Sequence, residues 1–198
     1  MATVVVPFRS TDPKRRLSAV VESDRVRLAH AMLEDVLAAA QPLGDILVVS
    51  AEAPDLPEGA RHVPDPRHGQ GAAVRAALDA AVAAGLPAPF VVVNADVPCV
   101  TTRDLLALVG AVPEHGLALA AAVDGTTNAL AVSEDVLFEP VYGPGSAERF
   151  AALAPSTRLD APNLIDDVDT VGDLARLVER LGEHTRRVLA SLHLESAA

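Results

Sequence analysis

A chain of 198 residues, half of them hydrophobic but only 3% aromatic and without Trp, has the size of one compact domain and predicts a core of Val, Leu, Ile and Ala. Sixteen basic against 27 acidic residues leave a formal net charge of -11, which excludes a surface that grips nucleic acid or anionic membrane broadly. The lone Cys99 excludes an internal disulfide, the six scattered His give no zinc spacing, and no segment has the roughly 20 apolar residues of a membrane span.

In chain order, MATVVVPFRSTDPKRR holds too short an apolar stretch, with its basic residues after it, for a signal peptide, so a cytoplasmic location is expected. Within it TVVVP (Thr3 to Pro7) predicts a strand covered on both faces. A polar loop follows, then a helix over Arg25 to Gln41 with Ser23 or Asp24 as cap. DILVVS is the second predicted strand and RHV a short further one. GAAVRAALDAAVAAG predicts an Ala-rich helix ended by Gly85, FVVVNA a third main strand, and Thr102 the start of another helix. GLALAAAVDGTTNALAVSEDVLF predicts two strands joined through Asp124-Gly125. A Gly-Pro loop, a short helix, a strand at NLIDDVD and one amphipathic helix from Val171 towards Leu192 complete the chain. Strand and helix alternate through the first half, the pattern of a doubly wound α/β sheet in one domain, 1–198.

In such sheets ligands bind outside the carboxyl ends of the strands. Three groups are expected there. The loop after the first strand carries Arg9, Lys14, Arg15 and Arg16, cations that suit a polyphosphate or a solvated basic turn, but not the pattern of a P-loop. Asp96, directly after FVVVNA, is placed either to hold a hard cation such as Mg²⁺ or to open the turn before Pro98. In IDDVDTVGDL, Asp166, Asp167 and Asp169 precede a helix that Asp169 or Thr170 could cap, with Asp173 in its first turn. DGTTNAL and YGPGS add Gly-freed N–H groups and hydroxyls, with Gly145-Ser146 at a helix start.

Taken in order, DPKRRL, RLAHAMLEDVLAAA, HGQGAAVRAAL, VVVNADVPCVTTRDL, DGTTNAL, YGPGSAERF and IDDVDTVGDL resemble the guanylyltransferases that activate 2-phospho-L-lactate or phosphoenolpyruvate in coenzyme F-420 biosynthesis. The resemblance runs through nearly the whole chain. It implies a Rossmann-like three-layer α/β/α sandwich with a mostly parallel central sheet, like that of the nucleotide-diphospho-sugar transferases. It also implies a reaction, in which GTP and a small phosphorylated three-carbon acid give a guanosine diphosphate-linked product and pyrophosphate. Asp96 and Asp169 would then hold Mg²⁺, with Asp167 the competing choice, while Lys14 and Arg16 stabilise the triphosphate and the departing pyrophosphate. Thr127, Gly143 and Ser146 would bind the acceptor. Pro7, Arg9 and Lys14, with Gly69, Gly71 and Ala72 of the segment to Ala73, would bind the nucleotide.

Two positions depart from the family pattern. Arg9 stands where the family has Lys, keeping the charge but presenting a planar fork. GQG replaces Gly-Leu-Asn before the Ala-rich helix, removing an Asn amide. The rival readings are a related nucleotidyltransferase acting on a molybdopterin or sugar phosphate, and a non-catalytic nucleotide-binding regulator. Expected partners are GTP, the phosphorylated acid, a downstream transferase that consumes the product, and a second copy of the chain across the exposed edge of the second half. Cys99 is assigned no chemistry.

Overall fold

The computed structural model describes residues 1–9, 17 and 20–192. Its centre is one seven-stranded sheet of β1 (Thr3–Pro7), β2 (Ile46–Ser50), β3 (Ala60–Pro64), β4 (Phe90–Val93), β5 (Leu117–Ala121), β6 (Thr127–Val132) and β7 (Ser156–Arg158), in the order β3-β2-β1-β4-β6-β5-β7. All pairings are parallel except those of β6, which runs antiparallel to both β4 and β5. The helices are α1 (Glu22–Ala40), α2 (Gln70–Ala83), α3 (Thr102–Gly110), α4 (Ser146–Ala151), α5 (Pro162–Ile165), α6 (Val171–Leu177) and α7 (Glu183–Ser191).

The strand period of two makes the layers. Val4 and Val6 of β1 pack with Leu33, Val36 and Leu37 of α1 and Leu105 and Leu108 of α3. Val5 points the other way, into a cluster with Val74, Ala77 and Leu78 of α2 and Phe150 of α4. A sheet buried on both faces explains why TVVVP, ILVV and FVVV are unbroken apolar runs. The opposite side of α1, with Leu28 and Met32, meets Leu174 and Leu177 of α6 and Leu181 in a third cluster. Cys99 is buried there, 3% exposed, and burial pushes its thiol pKa up, so it remains a protonated packing residue.

Three expectations need correction. The first helix begins at Glu22 rather than Arg25, so Ser23 and Asp24 lie in its first turn and Val21 precedes it without a side-chain cap. Glu22 and Asp24 instead complement the helix dipole. NLIDDVD is not a strand. Pro162 opens the short α5 and extended chain follows, while the added strand is β7, upstream. The closing amphipathic helix is two, α6 and α7, separated around Gly182. Among the described residues no helix is long and apolar enough to cross a membrane.

Candidate active site

The antiparallel course of β6 sets the site. It brings the beginning of β6 beside the end of β4, with Val93 opposite Ala129. The next residues therefore meet across the carboxyl end of the sheet, where Asn94 N–H donates to Asn128 O at 2.9 Å. The Asn94 side chain donates to Thr127 O at 3.2 Å and accepts from Gln70 Nε2 at 2.7 Å. Asn128, only 2% exposed, donates to Ile165 O at 3.0 Å and fastens the segment after α5 to β6.

That segment and the loop after β4 are joined directly, Val168 N–H donating to Asp96 O at 2.9 Å. Val168 is fully buried in the third core cluster. In extended chain its two neighbours project away from the side it buries, so Asp167 and Asp169 emerge together. Each of Asp96, Asp167 and Asp169 contributes a carboxylate oxygen within 4.8 Å of the other two. Three carboxylates at this spacing repel one another, and their oxygen-only donor set fits a hard divalent cation such as Mg²⁺.

The other acids of this stretch are diverted to structure. Asp166 pairs with Arg176 at 2.6 Å and with Arg180. Burial alone would raise its pKa, but hydrogen bonds from Arg180 and Arg176 outweigh burial and hold the carboxyl below the usual range. Thr170 and Asp173 form the capping box of α6, Thr170 N–H donating to Asp173 Oδ2 at 2.8 Å. There too burial is outweighed, by the Thr170 hydroxyl and amide and by Arg176, and the Asp173 carboxyl lies below its ordinary value.

Another wall of the same cleft is made by β6 and the loop before α4. Thr127 Oγ1 and Ser146 Oγ, both buried, lie 3.0 Å apart. Asp124 accepts from Thr126 N–H at 2.9 Å and from its hydroxyl at 2.6 Å, fixing the turn that precedes β6. Gly143 and Tyr142 complete the wall, enclosing with the carboxylates a cleft of about 210 Å³. The Tyr142 hydroxyl is buried without a hydrogen-bond partner among the described residues, and burial pushes its pKa up.

Asp96, Asp167, Asp169, Thr127, Gly143 and Ser146 thus share one cleft. Asp167 and Asp169, competitors as metal ligands in the sequence, both reach the cluster. Pro7 ends β1 and Arg9 is exposed beyond it, neither on the cleft wall. Lys14 and Arg16 lie outside the described residues. Of the segment at the start of α2, Gln70 reaches the cleft, whereas Gly69, Gly71 and Ala72 do not line it. Gly69 precedes the helix at φ 90°, and a Cβ on Gly71 would stand 2.6 Å from Pro140 Cβ, so its missing side chain admits that loop. Sequence reasoning included Gln70 only as part of the segment Gly69 to Ala73, and passed over Asn94 and Asn128 as site residues. The available signal was Asn128, an amide inside an otherwise apolar strand where Asn is normally depleted.

A profile of the family described as guanylyl transferase CofC like matches residues 2–195. A phosphoenolpyruvate guanylyltransferase of Roseiflexus sp. is 35% identical over 96% of this chain and 91% of its own length. A 2-phospho-L-lactate guanylyltransferase of Natrialba magadii is 34% identical over 88% of this chain and 82% of its own. A 3-phospho-D-glycerate guanylyltransferase of Phenylobacterium zucineum is 32% identical over 97% of each. Among solved structures, the 2-C-methyl-D-erythritol 4-phosphate cytidylyltransferase of Thermus thermophilus superposes with a TM-score of 0.60 at 17% identity, over 96% of this chain and 98% of that one, a likeness of fold.

Proposed function

The chain belongs to the guanylyl transferase CofC-like family, and from that premise we propose that it transfers GMP from GTP to phosphoenolpyruvate, or to 2-phospho-L-lactate, with release of pyrophosphate. The observation that carries this reading is the carboxylate cluster of Asp96, Asp167 and Asp169 in one small cleft with the hydroxyls of Thr127 and Ser146.

In the proposed reaction a phosphate oxygen of the acceptor attacks the α-phosphorus of GTP. The bond from that phosphorus to the bridging oxygen of the β-phosphate breaks, and pyrophosphate leaves with the electron pair. A phosphate monoester is largely dianionic at pH 7, its second pKa being about 6, so its oxygen attacks without a general base. The cleft, which has no His in its lining among the described residues, suits such chemistry. Catalysis then rests on holding two anionic substrates in line and offsetting their charge. Asp96 and Asp169, with Asp167 as third donor, would hold Mg²⁺, which when bound neutralises triphosphate charge. The cations of Lys14 and Arg16 would stabilise the departing pyrophosphate. Thr127 and Ser146 offer hydroxyl donors to the acceptor, Gly143 a backbone without a side chain to screen it, and Gln70 an amide to the nucleotide. A place in coenzyme F-420 biosynthesis, a cytoplasmic location, a downstream transferase that draws off the product and pairing of two copies through the β7 edge belong to the same reading.

Pyrophosphate release tests it, with GTP and Mg²⁺ supplied and phosphoenolpyruvate, 2-phospho-L-lactate and 3-phospho-D-glycerate compared, a downstream transferase present to remove product. We expect turnover with one of the first two acids and a preference for GTP over CTP. Turnover confined to 3-phospho-D-glycerate moves the chain to the third relative's acceptor. GTP binding with no pyrophosphate from any acid overturns the catalytic reading.

A further inference from the structure

Three ties hold the segment that presents Asp167 and Asp169. Val168 N–H donates to Asp96 O at 2.9 Å, Asp169 N–H donates to Asp173 Oδ2 at 3.2 Å, and Ile165 O accepts from Asn128 Nδ2 at 3.0 Å. Ile165 is the last residue of α5, so its carbonyl is one that a helix end leaves to outside donors. The donor that meets it is a side chain of β6, 37 residues away in the chain and only 2% exposed. This tie and the Val168 bond stand on either side of Asp167, and both run to the carboxyl end of the sheet.

Both halves of the Asn128 amide are used. Ile165 O can only accept, so Asn128 turns its NH₂ group there and its Oδ1 towards Asn94 Nδ2, 3.4 Å away. Asn94 Nδ2 also donates to Thr127 O at 3.2 Å, and Asn94 Oδ1 accepts from Gln70 Nε2 at 2.7 Å. Two backbone carbonyls therefore fix the direction of a chain that runs from Gln70 through Asn94 and Asn128 to Ile165. A carboxylate at position 128 would lack the donor and add negative charge to an acidic cleft. An aliphatic side chain there would strip Ile165 O of its donor and Asn94 of an acceptor.

We propose that Asn128 is a positioning residue for the metal: by holding Ile165 O to β6 it sets Asp167 and Asp169 against Asp96, and with them the affinity of the cluster for a hard divalent cation. The inference rests on the proposed function and deepens it at the metal subsite. Asn128 acts through the carboxylates, its donor being spent on Ile165 O rather than on substrate. Outer partners that orient the ligands of a metal are worth about 10–100-fold in affinity or activity. The core contacts of Val168 hold the segment independently, so removing the amide displaces the carboxylates and leaves the fold in place.

Asn128→Leu, which swaps the amide for two methyl groups on the same branching, and Asn128→Ala, which opens room for water beside the cleft, are compared with the wild type. Mn²⁺ titration followed by electron paramagnetic resonance, without substrates, reads the affinity of the cluster directly. The free Mg²⁺ concentration at half-maximal pyrophosphate release reads it during turnover. Asn128→Leu should weaken both by about tenfold or more, with kcat at saturating Mg²⁺ within a few-fold of wild type. Asn128→Ala should lose less, since water can bridge Ile165 O and Asn94. Asp35→Ala, at the contact of α1 with α7, is the control: it should lower Tm and leave metal affinity at the wild-type value. Wild-type metal affinity in Asn128→Leu, a greater loss in Asn128→Ala than in Asn128→Leu, which is the order a packing role gives, or an equal loss in Asp35→Ala would overturn the proposal. So would a wild type that binds no Mn²⁺ or turns over without a divalent cation, with the transferase reading left standing in the second case. A wild type that binds Mn²⁺ and releases no pyrophosphate with any acid indicts the proposed function instead, and the Mn²⁺ affinities of the variants then decide the role of Asn128 by themselves.

Discussion

At the scale of residues, the decisive side chain is apolar. Val168 inserts into the core, and that insertion sends Asp167 and Asp169 together towards Asp96. Asp96→Asn should therefore reduce Mg²⁺-dependent turnover to background with a Tm within a few degrees of wild type; near-normal turnover with normal Mg²⁺ dependence would remove Asp96 from the metal set. Val168→Asp tests the lever itself, because a charge cannot occupy that core position and the loop must leave it. Tyr142→Phe is expected to go the other way. It deletes a buried hydroxyl with no partner among the described residues, so stability should stay level or rise by about 1 kcal/mol. Urea unfolding reads the change, and a loss above that size would mean the hydroxyl has a partner in solution. The place of Asp96 in the cleft could be read from sequence because it comes just beyond the end of a strand buried on both faces. The choice between Asp167 and Asp169 could not, since the parity of an extended segment is fixed only once its buried residue is known. Asn94 gave no local signal, as its place beside Thr127 comes from the antiparallel placement of β6.

At the scale of elements, the first-half strands and helices follow from apolar runs and helical periodicity, and they form in the predicted order, with the start of α1 displaced to Glu22. The other two errors lie after residue 160, where Pro162 and the acids Asp166, Asp167, Asp169 and Asp173 interrupt short apolar stretches and neither period has room to repeat. The split of the closing helix has a tertiary cause. Asp35 of α1, 6% exposed, accepts from His184 N–H and Thr185 N–H, each at 2.9 Å, and so caps α7 from 149 and 150 residues away. Gly182 admits that carboxylate, for a Cβ there would stand 2.1 Å from Asp35 Cγ. Asp35→Ala should cost about 2 kcal/mol, the range of hydrogen bonds to a charged group. Gly182→Ala should cost at least as much, since the carboxylate must move. In the Asp35→Ala background Gly182→Ala should become nearly neutral, because the clash has been removed. A double-mutant cycle by urea denaturation measures this, and additive losses would break the link between the two residues.

At the scale of the molecule, a chain of hydrogen bonds ties the helices behind the carboxylate cluster to one another. Asp104 of α3 accepts from Asn163 of α5 at 3.0 Å, Asn163 accepts from Arg180 at 3.2 Å, and Asp166 binds both Arg180 and Arg176. Arg176 continues to Asp173 at 3.2 Å and its pKa is raised by these two carboxylates. Asp166 and Asp173 have folded-state values below their unfolded ones. The unfolded chain therefore binds protons first as pH falls, so both groups stabilise the fold fully above their unfolded values and lose that contribution as pH drops through the folded ones. Stability should be level near neutrality and decline below about pH 4, the ordinary carboxylate range. Asp166→Asn should cost on the order of 1–2 kcal/mol at pH 7, given partly exposed Arg partners. That difference should shrink towards zero as pH falls below the folded value of Asp166, where wild type and variant are alike uncharged at this position. Parallel curves of unfolding free energy against pH would refute the assignment of acid sensitivity to this pair. Convergent curves would place the acid-labile joint directly behind the segment that presents Asp167 and Asp169.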